Sequence, residues 1–88
     1  MATETQDNIT LTGQWKDIAA ENGDLADADV TIQCKTGRTF IVWGGESAPV
    51  DDIAGDMLSP GWSSDGNASK IWARGTNGGV ITPTITTA

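Results

Sequence analysis

The side chains best suited to chemistry in this chain are carboxylates, gathered in two runs: Asp24, Asp27 and Asp29, then Asp51 and Asp52 with Asp56. Carboxylates spaced along a loop are what a calcium ion takes as oxygen ligands. Neither run fits an EF-hand, because the glycine and the closing glutamate are missing from the positions that loop requires. Solvated loop charge is the plainer reading of both. Two aspartates can also serve as the acid and base of glycoside hydrolysis, but nothing in the spacing selects a pair. Cys34 is the sole cysteine. It alternates with Val30 and Ile32, as a buried, inert thiol does, and no histidine exists to activate it. Histidine and tyrosine are both absent, which removes the side chain that most often moves protons near neutral pH. Gly75, Gly78 and Gly79 form a glycine-rich stretch, but it precedes a strand, whereas a phosphate cradle opens a helix; Gly44-Gly45 fails in the same way. Asn8-Ile9-Thr10 and Asn67-Ala68-Ser69 fit the glycosylation sequon, and without a secretory signal they read as chance matches. No catalytic residue, no metal and no cofactor is expected, and the chain reads as non-enzymatic.

The other distinctive residues are aromatic. Four tryptophans stand in 88 residues that hold a single phenylalanine. Tryptophan buries a large area at little entropic cost, so it anchors interfaces and stacks on sugars as well as filling cores. Core packing competes most strongly at Trp43. Trp62 follows a Pro-Gly turn, and Trp72 is in phase with Arg74 if Ile71 and Ala73 face the core. Trp62, Trp72, Arg74, Trp43 and Trp15 are therefore the interface candidates, with a neighbouring subunit favoured over a sugar.

These residues must be positioned by a small fold. Eighty-eight residues make one compact domain. A domain of this size keeps much of its surface wet, and one cysteine cannot form an internal disulfide, so a partner subunit is the expected extra source of stability. Twelve acidic residues against five basic give a net charge of −7, which repels phosphate backbones and argues against nucleic acid as a partner. No stretch is long and apolar enough for a membrane span, and residues 1–8 show no secretory signal. Assembly in a cytoplasm is expected.

Helix formers are scarce. Residues 15–22 read equally as a strand entering a loop or as one or two helical turns over 17–21 ended by Gly23. The remainder reads as short strands between turns. Ile9 to Thr12 alternates, and Asp29 to Lys35 places Val30, Ile32 and Cys34 on one face. Thr36-Gly37-Arg38 is a turn signal before Thr39–Trp43, which is apolar on both faces, so a hairpin with a central strand is expected. A loop follows over 44–55, then a type II turn at Ser59-Pro60-Gly61. Strands are expected at 62–64, 70–74 and 80–87, with a turn over 75–79. Pro83 predicts an edge position for the last of them. Together these describe an all-β chain, a small β-sandwich or barrel-like antiparallel fold of about seven short strands.

The runs VTIQCKTGRTFIVWGG (30–45), LSPGW (58–62) and KIWARG (70–75), in this order with a glycine-rich β stretch after them, resemble small virion proteins of tailed bacteriophages. The resemblance covers about residues 28–88, with 1–27 outside it as an N-terminal arm and possible first strand that docks on a neighbour. It implies a β-sandwich, a non-enzymatic role as a capsid decoration (cement) or head-fibre protein, and a virion location after assembly in the host cytoplasm. It also implies capsid or other virion proteins as partners and a symmetric homo-oligomer, a trimer being favoured. It carries no catalytic residue onto this sequence. A carbohydrate- or receptor-binding module stacking sugars on Trp62 and Trp72 is the alternative, and a hydrolase built on two aspartates is the third reading.

Overall fold

The computed structural model describes residues 2–87, excepting the side chain of residue 2. Strand accounts for 54% and helix for 8%, so the chain is all-β, one antiparallel sheet of seven strands that does not close into a barrel. In chain order the elements are β1 (Ala2–Thr5), β2 (Ile9–Thr10), β3 (Lys16–Asp17), α1 (Ile18–Glu21), a 3-10 turn (Gly23–Leu25), β4 (Asp29–Trp43), β5 (Asp56–Leu58), β6 (Ser63–Gly66) and β7 (Ile71–Thr87).

Two long strands carry the architecture. β4 and β7 pair along their whole length, from Asp29 opposite Thr86 to Trp43 opposite Ile71. The N-terminal segment runs along the other side of β7, through Ala2 opposite Thr87, Ile9 opposite Ile81 and Lys16 opposite Ala73. β5 and β6 line the other side of β4.

The expected hairpin over 29–43 is not formed: these residues are one strand, and so are 71–87, where a turn was expected over 75–79. The glycine signals mark bends instead of reversals. Gly37 (φ 67°), Asn77 (φ 58°) and Gly78 (φ 75°) take left-handed backbone, and the register slips between Cys34 and Thr36 and again between Thr36 and Arg38. Such bulges kink a strand without ending it. The inward face changes parity there. Val30, Ile32 and Cys34 are buried before the bend, Thr39 and Ile41 after it, and β7 buries Ile71, Ala73, Ile81 and Pro83. The folded ribbon thus encloses one core, to which Ile18 and Leu25 add the apolar side of the helical turns.

Pro83 lies in a central strand, contrary to the edge position expected of it. Its carbonyl accepts from the Gln6 N–H at 2.8 Å, so its missing donor faces the N-terminal segment. The ladder breaks there between Thr5 and Ile9. The Pro-Gly turn forms as read: Trp62 N–H donates to Ser59 O at 2.9 Å with Gly61 at φ 88°.

Of the two readings for 15–22, both are partly realised, as β3 followed by α1. Asp17 caps the helical turn, its Oδ1 accepting from Ala19 N–H at 3.1 Å and from Ile71 N–H at 3.2 Å. Its other oxygen lies 3.8 Å from Lys70 Nζ. One carboxylate therefore ties the N-terminal segment to the start of β7.

Candidate functional site

The five candidate residues divide between the interior and the surface. Trp43 leans on the core. Its Nε1–H donates to Ser64 Oγ at 3.0 Å, and that hydroxyl donates to Asp56 Oδ2 at 2.7 Å. Gly66 sits under the indole, and a Cβ there would fall 2.2 Å from Cδ2. The Ser64–Asp56 pair couples a hydroxyl to a carboxylate, but Ser64 is buried and links Trp43 to the β5 strand.

Trp72 and Arg74 project from the outer face of β7 and are held within the chain. Trp72 Nε1–H donates to Gly45 O at 3.0 Å. Arg74 donates through Nε to Gly13 O at 2.9 Å and through Nη1 to Asp52 O at 2.8 Å. Its guanidinium carbon stands 5.3 Å from the centre of the Phe40 ring, a cation–π contact. The 44–55 loop is thereby tied to the outer face at Trp72 and Arg74. Its apolar side chains Val50 and Ile53 point into solvent. Trp15 is half-buried, and its buried Nε1–H meets no acceptor among the described residues, an uncommon state for a polar group out of water.

Trp62 alone of the candidates is openly exposed, at 57%. It stands at the bend, its carbonyl accepting from Cys34 N–H at 2.9 Å while Gly61 N–H donates to Cys34 O at 2.8 Å. The bend is formed by 35–38, 59–62 and 76–79, and its only charged side chains are Lys35 and Arg38, both exposed. Trp62 and Trp72 are not brought together. Trp72 pairs across from Val42, eight residues along β4 from the Cys34 that meets Trp62.

The opposite end of the first half-sheet is acidic and concave. An open groove of about 420 Å³ is lined by Asp29, Thr31, Asp65, Asn67 and Thr86. Asp65 accepts from Thr31 Oγ1 at 2.6 Å and Asp29 from Asn67 Nδ2 at 2.9 Å. Both donors are neutral, and among the described residues no cation pairs with either carboxylate.

The two aspartate runs do not assemble into an ion site: among the described residues, no three His, Cys, Asp or Glu side chains converge. Cys34 lies inside the bend, with Thr39 Oγ1 donating to its sulfur at 3.5 Å. Reading the sequence did not single out Lys35, Arg38, Ile53 or Met57. Ile53 lies in the 44–55 loop and Met57 in the three-residue β5, where no periodicity marks which side chains face out.

Compared with known proteins, the chain matches no protein-family model, no curated protein and no solved structure at a significant level.

Proposed function

We propose that this chain is a non-enzymatic structural protein of a virion, a capsid decoration or head-fibre component that works as a homo-oligomer seated on capsid proteins. The observation that carries the reading is the set of large apolar side chains left in solvent. Trp62, Met57, Ile53 and Val50 are exposed on a domain whose core is otherwise complete. A small domain gains by covering such groups, and an aromatic beside a polar rim is the usual anchor of an interface. The sequence resemblance of residues 28–88 to tailed-phage virion proteins supplies the kind of partner. The sheet also presents the outer edge of β5 and β6, which pair only with β4. Unpaired edges are ready to accept a strand from a neighbour.

The test is sedimentation of purified heads. The chain should travel with mature heads through a density gradient in a simple ratio to the major capsid subunit. Native mass spectrometry of the released protein should find an oligomer. A chain that stays at the top of the gradient as a monomer overturns the reading. Trp62 fluorescence that shifts on addition of glycans, with no head binding, would favour the sugar-binding alternative.

A further inference from the structure

We infer that copies of this chain join head to tail, the bend of one copy seating Trp62, Lys35 and Arg38 in the acidic groove of the next. This rests on the reading of the chain as an oligomer and names the two surfaces that meet. The first observation is charge segregation. The chain is strongly acidic overall, yet the bend carries only Lys35 and Arg38 as charged groups, and among the described residues no ion pair engages either. The groove has Asp29 and Asp65 on its walls, each bonded, among the described residues, to a neutral donor.

The second observation is shape. Trp62 projects from the bend with more than half its surface wet, and the groove is an open recess with a volume suited to a large side chain. An exposed indole on a bend whose charged side chains are both cations, and a recess walled by two carboxylates, complement each other in form and in sign. The third is placement. Asp29 lies six residues from Lys35 along β4, about 20 Å at strand rise, so the two surfaces sit at opposite ends of the half-sheet. A copy cannot satisfy its own groove. A contact between two different surfaces is heterologous, and it closes into a ring or runs on as a filament according to the rotation it imposes.

Charge reversal tests the pairing. Native mass spectrometry and sedimentation of K35E/R38E and of D29K/D65K, at fixed ionic strength, should each show association weakened by at least about tenfold in affinity. D29K/D65K lowers the net negative charge of the chain, so general repulsion alone would favour its assembly; its dissociation marks local pairing. Mixing the two variants should restore assembly in alternation, because each bend then meets a groove of opposite sign. W62A should dissociate while keeping the unfolding midpoint that the wild type shows when diluted to a monomer, and Trp62 emission should move to shorter wavelength when wild-type copies assemble. Oligomers indifferent to both reversals, a wild-type chain that is monomeric at all concentrations, or failure of the mixture to reassociate overturns the inference. Head binding by a monomeric wild-type chain would remove this contact and leave the virion role standing. Assembly without head binding would do the reverse.

Discussion

Replacement of Gly66 by alanine isolates the packing of Trp43. The backbone at Gly66 is not left-handed, so alanine brings no conformational strain, and its whole effect comes from one methyl group. That methyl would lie 2.2 Å from Cδ2, 2.5 Å from Cε3 and 2.6 Å from Cε2 of the indole. The ring must move away, and the 3.0 Å bond from Nε1 to Ser64 moves with it. Forced repacking of this kind costs about 1–3 kcal/mol, and loss of the hydrogen bond adds about 1 kcal/mol. The expected loss is about 2–4 kcal/mol. For a domain of this size that lowers the melting temperature by roughly 10–25 °C. Urea unfolding followed by circular dichroism reads the free energy directly. In a Trp43→Leu background the added methyl has room, so Gly66→Ala should then cost less than about 0.5 kcal/mol, with the difference appearing as coupling in a double-mutant cycle. Gly61→Ala serves as the opposite control: nothing lies within 4 Å of its Cβ but φ is 88°, leaving a backbone cost of about 1 kcal/mol. A Gly66→Ala protein within about 0.5 kcal/mol of wild type, or an equal loss with and without Trp43, would refute the reasoning.

The same structure sets further expectations. Gly37→Ala combines left-handed backbone with a Cβ 2.4 Å from Thr76 O, and it should cost about 3 kcal/mol or more by urea titration, since two backbones must separate. Asp17→Ala orphans the N–H groups of Ala19 and Ile71; a loss of about 2 kcal/mol is expected, with Asp17→Asn recovering most of it because it keeps an acceptor. Ile32→Ala empties a fully buried position and should cost about 2–5 kcal/mol. Arg74→Ala cuts the bonds to Gly13 and Asp52, so amide hydrogen exchange over residues 46–54 should quicken, by more than any fall in global stability explains.

The alternation of Val30, Ile32 and Cys34, and of Ile71 and Ala73, was legible because period two survives any strand pairing. The Pro-Gly turn was legible because its φ requirements are local. The hairpin over 29–43 misread Gly37. A glycine between two apolar runs serves a reversal or a bulge equally well, and the pairing of both runs with β7 decides between them. Pro83 misled for a related reason. Proline forbids one ladder bond, and the N-terminal segment leaves that bond unneeded by breaking between Thr5 and Ile9. At the site, the exposure of Trp62 followed from its turn. The acceptors for Trp72 and Arg74 did not, because they belong to the 44–55 loop, whose path has no periodicity to read. The groove joins Asp29, Asp65 and Thr86 across three strands, and no local pattern announces such a meeting.

The central place of β7 has a consequence for how the chain reaches this state. Its partners on one side are the first residues of the described chain, with Ala2 opposite Thr87 and Thr5 opposite Thr84. On the ribosome, residues 2–17 emerge long before the strand that receives them, and β4 waits likewise for half its ladder. Pairings this distant in sequence make the search slow, and they leave strand edges unpaired while it lasts. Folding should therefore wait for β7 and fall in the millisecond-to-second range typical of non-local β topologies. Deleting residues 80–87 should strip β1, β2 and the first half of β4 of their shared partner and prevent folding, with circular dichroism showing no cooperative unfolding.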